Sequence, residues 1–421
     1  MPPRKCTRTI TSVTRPNKRI TLPIAWEQYQ LIVADVTAFR AWLDGMIHQF
    51  PVLFPPSITQ GYTLHDVRSS RKLGDVHLRR ICLTARTADG KQQVFTIAPS
   101  GVLPYLSGYT DDVEPALFLR RFGVPFWALT RVFGHNDAYW YRLETHFGSY
   151  TLVSTTVKDP AKLPQHLVAD EKITWLNGEE VEVATTVGED CVLGASVALR
   201  PDTENLTSAY QIFQEEAKQV DPHYAPKTVN TDGWHATKCA WRSLFPLIVI
   251  IECFLHAWIK IRGYCRNLPE LMPQVAEQVW NAYHAADALT FRQRVANLGN
   301  WAQQNTTGSL LEAIRKLCGK VERFVLAYDH PHSRRTSTML DRQMDALSRH
   351  LDSARFFHGH GTAAERAVRA WALLHNFRPY CPRAKVAQAF RSPFHKLNGF
   401  LYHDNWLHNL LIATSMSGIP K

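Results

Sequence analysis

Long apolar runs are missing from this chain. The longest, Leu244 to Ile251, is stopped by Glu252, far short of the ~20 residues that span a bilayer. No membrane partner is expected, and the run reads as an interior strand. Zinc-type cysteine spacing is missing as well. None of the eight cysteines forms a CxxC pair and no tetrad has finger spacing. That leaves reduced, mostly buried thiols in a cytosolic protein. The start, Met1-Pro-Pro-Arg-Lys-Cys-Thr-Arg8, has no apolar stretch behind its basic residues, so no secretory leader is expected. Repeats and low-complexity segments are absent. Acids are outnumbered: 37 Asp and Glu face 48 Lys and Arg, for a net charge of +11. The balance fits a polyanionic partner, because phosphates are held by Lys and Arg, although many basic proteins bind no nucleic acid. What is abundant is core material. Hydrophobic residues make up 45% of the 421, with 12 Trp, 14 Tyr and 20 Phe, enough for two or three folded domains.

Three aspartates stand in three different local settings. Asp170 sits in a strand-like run, His166-Leu-Val-Ala-Asp-Glu-Lys-Ile-Thr-Trp175. Asp232 follows the β-branched stretch Thr228-Val-Asn-Thr. Asp341 lies early in a helical stretch, Ser337-Thr-Met-Leu-Asp-Arg-Gln-Met344. A strand acid, a strand-end acid and a helix acid can converge on one face of a mixed sheet. There they can hold two Mg²⁺ ions about 3.5–4 Å apart, the arrangement that cleaves and joins phosphodiesters. Each also has a plain structural reading. Asp170 can be a half-exposed strand position, since Glu171 and Lys172 follow. Asp232 before Gly233 can be a turn or cap. Asp341, near Arg335 and Arg342, can be a surface ion pair.

Along the chain, residues 1–20 read as a flexible basic arm. A helix-like stretch spans Trp26–Phe50. Strands are expected at Val76–Thr84 and Gln93–Ile97 around a turn at Asp89-Gly90. Residues 112–147 hold three short helices: Val113–Arg121 ending near Gly123, Pro125–Phe133 ending at Gly134, and one capped by Asn136. They form a candidate helix-turn-helix, or else a small helical subdomain packed on the core. As DNA readers, the third helix would offer Tyr139 and Arg142. From His166 the order is β, β, β, α, β, α, with strands near 166–175, 180–187 and 191–199, a helix at Asn205–Val220, and a strand at 227–231 ending on Asp232. A short helix at 235–243, a strand at 246–252 and a helix from Cys253 follow. Residues 270–328 are wholly helical, with Leu310, Ile314, Leu317, Val321, Phe324 and Val325 in an apolar stripe that reads as core. The tail from Asn376 is basic and Pro-punctuated.

Together these segments resemble prokaryotic insertion-sequence transposases with a ribonuclease-H-like core, nearest to the Mutator-like group. The likeness covers roughly residues 160–400. It is carried by the Asp170 strand, Val229-Asn-Thr-Asp-Gly-Trp-His-Ala-Thr237, Cys253-Phe-Leu-His256, and Arg335-Thr-Ser-Thr-Met-Leu-Asp-Arg342. Two departures stand out. The third acid of that family is usually Glu, here Asp341, and the Asn three positions before it is Thr338. Asp345, one turn on, remains a rival third acid.

The resemblance implies an α/β chain: a ribonuclease-H-like mixed-sheet core over 160–265 and 330–375, an all-helical insertion over 266–329, an N-terminal α+β DNA-binding region over 21–150, and a basic C-terminal tail over 376–421. It implies a DNA transposase that cleaves element ends and transfers strands into target DNA. Asp170, Asp232 and Asp341 would hold Mg²⁺, with Mn²⁺ as a substitute. Arg335 and Arg342, flanking the third acid, would contact DNA. Cys253 and His256 would be structural or orienting, and two such residues are too few for a zinc site. The partners would be double-stranded DNA and a second copy of the chain, in a prokaryotic cytoplasm at the nucleoid. Two other readings stay open: a catalytically silent DNA-binding protein derived from a transposase, and a stand-alone ribonuclease-H-like nuclease. Relaxase chemistry is disfavoured because His330-Pro-His332 and His358-Gly-His360 sit in turn-like settings. Tyrosine-recombinase chemistry is disfavoured because His65-Asp-Val-Arg68 falls too early relative to Tyr402.

Overall fold

A computed structural model describes residues 17–70, 72–74, 76–104 and 108–418. Most of the expected basic arm, including Arg4, Lys5, Arg8 and Arg15, lies outside them. Arg19 does not belong to an arm. It is buried in a strand, and its guanidinium donates to the carbonyls of Val102 and Leu103.

The N-terminal region opens with β1 (Arg19–Leu22), α1 (Trp26–Val33) and α2 (Val36–Gln49). The helix-like stretch breaks at Asp35, whose carboxylate caps α2 by accepting from Thr37 and Ala38 N–H. Then come β2 (Tyr62–Ser69), β3 (His77–Arg86) and β4 (Gln92–Pro99). They form a four-stranded sheet in the order β1-β4-β3-β2, with β1 parallel to β4. Helices α3 (Thr110–Arg120), α4 (Phe126–Phe133), α5 (Asp137–Phe147) and α6 (Leu152–Thr156) follow. Asn136 caps α5 through Tyr139 N–H, as its residue type predicts.

The central sheet begins with β5 (His166–Leu176), β6 (Glu179–Gly188) and β7 (Cys191–Ala198). Two-residue turns join them. Asn177 and Gly178 make the first, Glu189 and Asp190 the second, and all four have positive φ, as such hairpins require. Then come α7 (Thr203–Val220), β8 (Thr228–Thr231), α8 (His235–Leu244) and β9 (Val249–Glu252). The sheet order is β7-β6-β5-β8-β9, antiparallel among β5, β6 and β7 and parallel from β5 through β9. The long apolar run is only half strand. Pro246 breaks it, Leu247 is exposed, and the strand starts at Val249.

Side chains alternate across β5. Val168 enters one core and Leu167 and Ala169 the other. The second face is covered by α7 and α8, with Tyr210, Phe213 and Trp241 buried between them. Burying each such ring stabilises the fold by about 1.5–3 kcal/mol.

After β9 come α9 (Phe254–Tyr264), α10 (Leu271–Tyr283), α11 (Ala288–Asn305), α12 (Gly308–Cys318) and α13 (Val321–Val325). These five helices have their own core, around Phe254, Phe291, Ile314 and Phe324. The helical unit therefore includes α9, and the apolar stripe breaks between α12 and α13.

The chain ends with α14 (Thr338–Ser353), α15 (Gly361–Phe377), α16 (Pro393–Asn398) and α17 (Trp406–Ala413). Helix α15 closes the free edge of β7. Asn376 pairs with both backbone groups of Val192 at 2.8 Å, and Glu365 accepts from Val197 N–H at 2.8 Å. Unpaired edges invite foreign strands, and this one is covered.

Part of the segment expected as a basic tail is also core, although residues 381–391 are exposed or half-buried. Every residue of α17 is buried, and the Ser415 hydroxyl accepts from Thr21 N–H and donates to its carbonyl oxygen. One apolar core runs from both sheets through α14, α15 and α17, so the N-terminal 150 residues are not packed apart from the rest. Among the described residues no helix is long and apolar enough to cross a membrane.

Candidate functional site: an acidic cluster at the end of the central sheet

Strands β5 and β8 pair in parallel, His166 with Thr228 and Val168 with Asn230. Continuing that register by two residues sets Asp170 beside Asp232, just past the end of β8. Neighbouring strands are about 4.8 Å apart. Asp170 points to the face opposite Glu171, towards α9 and α14. There Asp170, His256 and Asp341 each place one ligand atom within 4.8 Å of the others. Among the described residues no other group of metal-ligand side chains is so close.

The turn after Asp232 depends on glycine. Gly233 has φ +89°, and a Cβ there would lie 2.9 Å from the Glu252 carboxylate. Asp232 Oδ1 accepts from Trp234 N–H at 2.7 Å. One carboxylate oxygen of Asp232 is thus committed to the turn.

Asp341 stands in the first turn of α14, where the helix dipole favours a carboxylate. It accepts from the Ser337 hydroxyl at 3.0 Å. Ser337 N–H donates to Cys253 Sγ at 3.2 Å. Phe254 N–H donates to Arg335 O at 3.1 Å, and Asn230 Nδ2 to Arg334 O at 2.9 Å. The segment before α14 is therefore stitched to the ends of β8 and β9. Asp345, one turn further, is exposed and outside the cluster.

Burial pushes the Asp170 carboxyl up to about 6; His256 opposes this, while Asp232 and Asp341 add to it. The Cys253 sulfur raises His256 to about 9 against burial, and Asp170 and Asp232 raise it further. The largest part of the Cys253 effect is a hydrogen bond between the two side chains. Cys253 itself is lowered: burial works against ionisation, but His256 and Ser337 outweigh it.

Two further acids, Glu171 and Glu252, lie near the cluster. Glu171 faces the other side of the sheet, where Tyr210 and Thr237 hydroxyls each donate to Oε1 at 2.7 Å. Burial pushes its carboxyl up to about 8 despite them. Glu252, at the end of β9, is buried and bound by Lys238 at 3.1 Å, Lys320 at 2.8 Å and Arg323 at 2.7 Å. Strand alternation placed Glu171, but nothing local pairs Glu252 with a cation some 70 residues away. Three cations on one carboxylate leave positive charge beside Asp232. Beside it lies a cleft of about 610 Å³ between α9 and α12, walled by Asp232, Glu252, Lys260, Lys320 and the Glu312–Lys316 ion pair.

The expected DNA contacts divide. Arg342 is exposed beside Asp341, and Arg142 is exposed on α5. Tyr139 is half-buried and stacked on His135 at 4.0 Å. Arg335 is half-buried. Its guanidinium lies over the rings of Tyr283 and Tyr328, each at 4.6 Å, and of Phe291 at 5.6 Å. It pins the helical unit to the segment before α14.

Compared with known families and with curated proteins, the sequence matches no family model and no individual protein.

Proposed function

We propose that this chain is a DNA transposase with a ribonuclease-H-like catalytic core. The observation that carries the reading is the meeting of Asp170 and Asp341, from β5 and α14, beside Asp232 at the end of the adjacent parallel strand. The strand order β7-β6-β5-β8-β9 supports the core assignment, and the separate core of α9–α13 supports a helical insertion.

The donor set suits hard divalent cations. Carboxylate oxygens are their preferred ligands, and bonds of about 2.0–2.1 Å put neighbouring ligand atoms roughly 3 Å apart. Ligand atoms of Asp170 and Asp341 lie within 4.8 Å of each other, near that range. Mg²⁺, with Mn²⁺ as substitute, would supply charge neutralisation at the phosphate and a lower pKa for the attacking water or 3′-hydroxyl. The protein's own groups do the rest. Ser337 and the first turn of α14 fix Asp341. The Gly233 turn fixes Asp232. His256, beside Asp170 and Asp341, would orient a phosphate oxygen by a hydrogen bond. The lysines of the cleft wall meet the backbone of the bound strand.

The test is a purified chain, Mg²⁺, and duplexes carrying any terminal inverted repeats that flank its coding region. The reading requires cleavage at the repeat and joining of a pre-cut 3′-hydroxyl end to a target plasmid. Cleavage without joining would leave a stand-alone nuclease. Binding without cleavage in either ion would leave a DNA-binding protein.

A further inference from the structure

The C-terminal ends of α3, α14 and α15 meet at one corner of the molecule. Arg120 Nη1 donates to Ser353 Oγ at 3.0 Å, and the Arg121 guanidinium lies 5.2 Å from the centre of the Trp371 ring. The charges gathered there are nearly all positive. Arg121 feels Arg378 and Arg120, His375 feels Arg378 and Arg121, and Arg378 feels Arg349. Burial and these arginines lower His350 and His375 well below the usual imidazole value, so the positive charge is that of the arginines. The acid that faces them is Glu144, which is occupied by Arg120 at 2.9 Å and lies 3.8 Å from His350. Asp190, on the far side, is bound by Lys396.

Arg121 is only 7% exposed, yet its Nε and Nη1 have no hydrogen-bond partner. The buried Nε of Arg378 has none either. The Trp371 ring and the carbonyl ends of three helices offset part of this charge. They do not satisfy the fork of N–H donors, which matches an oxyanion in geometry and charge. Arg349 is exposed and Arg378 half-buried, so the cluster runs from the buried Arg121 out to the surface.

We propose that this corner is a phosphate-binding site, with Arg121 at its base and Arg349 and Arg378 at its mouth. The phosphate has two possible sources. One is a DNA backbone, and that source rests on the transposase reading. Arg349 lies on the same helix as Asp341, about 12 Å further along its axis. That is a few steps of a duplex strand at ~3.4 Å each. The other source is free inorganic phosphate.

Two measurements on the intact chain decide, for the wild type, Arg378→Gln and Arg349→Gln. The first is duplex affinity across a salt series. The second is the melting temperature with and without millimolar inorganic phosphate. If the site takes backbone phosphate, each variant loses several-fold in duplex affinity and its log–log salt slope falls by about one. If it takes free phosphate, phosphate raises the wild-type melting temperature and not that of Arg378→Gln, and salt slopes are unchanged. A chain that binds no DNA at all would sink the transposase reading and leave the phosphate measurement to decide this one. Should Arg378→Gln fail to fold, Arg349→Gln, at an exposed position, carries both readouts. Variants that match the wild type in salt slope and in phosphate response would overturn the site.

Discussion

The Ser337 amide donates to the Cys253 sulfur at 3.2 Å, and the hydroxyl of the same serine lies 3.3 Å from that sulfur. The hydroxyl donates onward to Asp341. A thiol at the mouth of α9 therefore holds the start of α14, and through it the third acid. Partners one shell out from a metal ligand typically contribute 10–100-fold to affinity or activity. Cys253→Ala should lose cleavage by about that factor, need more Mg²⁺ for half-maximal rate, and bind duplex normally. Cys253→Ser should recover part of the loss. Unchanged Mg²⁺ dependence in the alanine variant would reduce Cys253 to core packing.

Asp341 and Asp345 share a helix face, and only Asp341 reaches Asp170 and His256. Asp341→Asn should abolish Mg²⁺-dependent cleavage, because an amide cannot replace an anionic ligand. Asp345→Asn should keep most activity, and Asp341→Glu some, since the charge remains and only the reach changes. Single-turnover cleavage of a labelled duplex ranks the three. The reverse order of the two asparagine variants would move the site one turn along α14.

That choice marks where sequence reading stopped. Residues four apart on a helix look alike to any pattern, and only the packing of α14 against β5 separates them. Local chemistry was legible where it was self-contained. The turns at Asn177-Gly178 and Glu189-Asp190 fix β5, β6 and β7, and Asn136 caps α5. Strand β2 escaped notice because it is an edge strand exposed along most of its length, so it lacks alternation. Strand β1 has four residues and gains its partner β4 from far along the chain. The apolar helix α17 is hidden in a Pro-rich, basic neighbourhood. The Glu252 cluster and the aromatic seat of Arg335 are long-range contacts that no spacing announces.

Gly233→Ala tests the turn that sets Asp232. The added Cβ would meet the Glu252 carboxylate at 2.9 Å, at φ +89°. Glu252 cannot swing aside cheaply, because Lys238, Lys320 and Arg323 hold it. Strain of this kind costs about 1–3 kcal/mol. Urea unfolding should show a loss of that order, and cleavage should fall further than stability explains, because Asp232 moves with the turn. A variant as stable and as active as the wild type would mean that the turn has slack.

Acid should destabilise this fold through its buried and half-buried histidines, and His146, half-buried, is the clearest case. Burial, then the charges of Arg19 and Arg366, lowers its imidazole to about 4. Its Nε2 lies 3.0 Å from the Tyr150 hydroxyl. The folded value is below the ordinary 6.5, so the native state binds this proton less readily than the unfolded chain. Stability from this group is therefore complete above about pH 6.5 and is lost as pH falls towards 4. His350 and His375, buried and lowered, act in the same direction. His146→Gln keeps a polar group near Tyr150 and removes the titration. The difference in unfolding free energy between pH 7 and pH 4.5 should shrink in the variant, by up to on the order of 3 kcal/mol. Urea unfolding at those two values measures it, and equal pH dependence in both proteins would show that His146 is already free to ionise in the folded state.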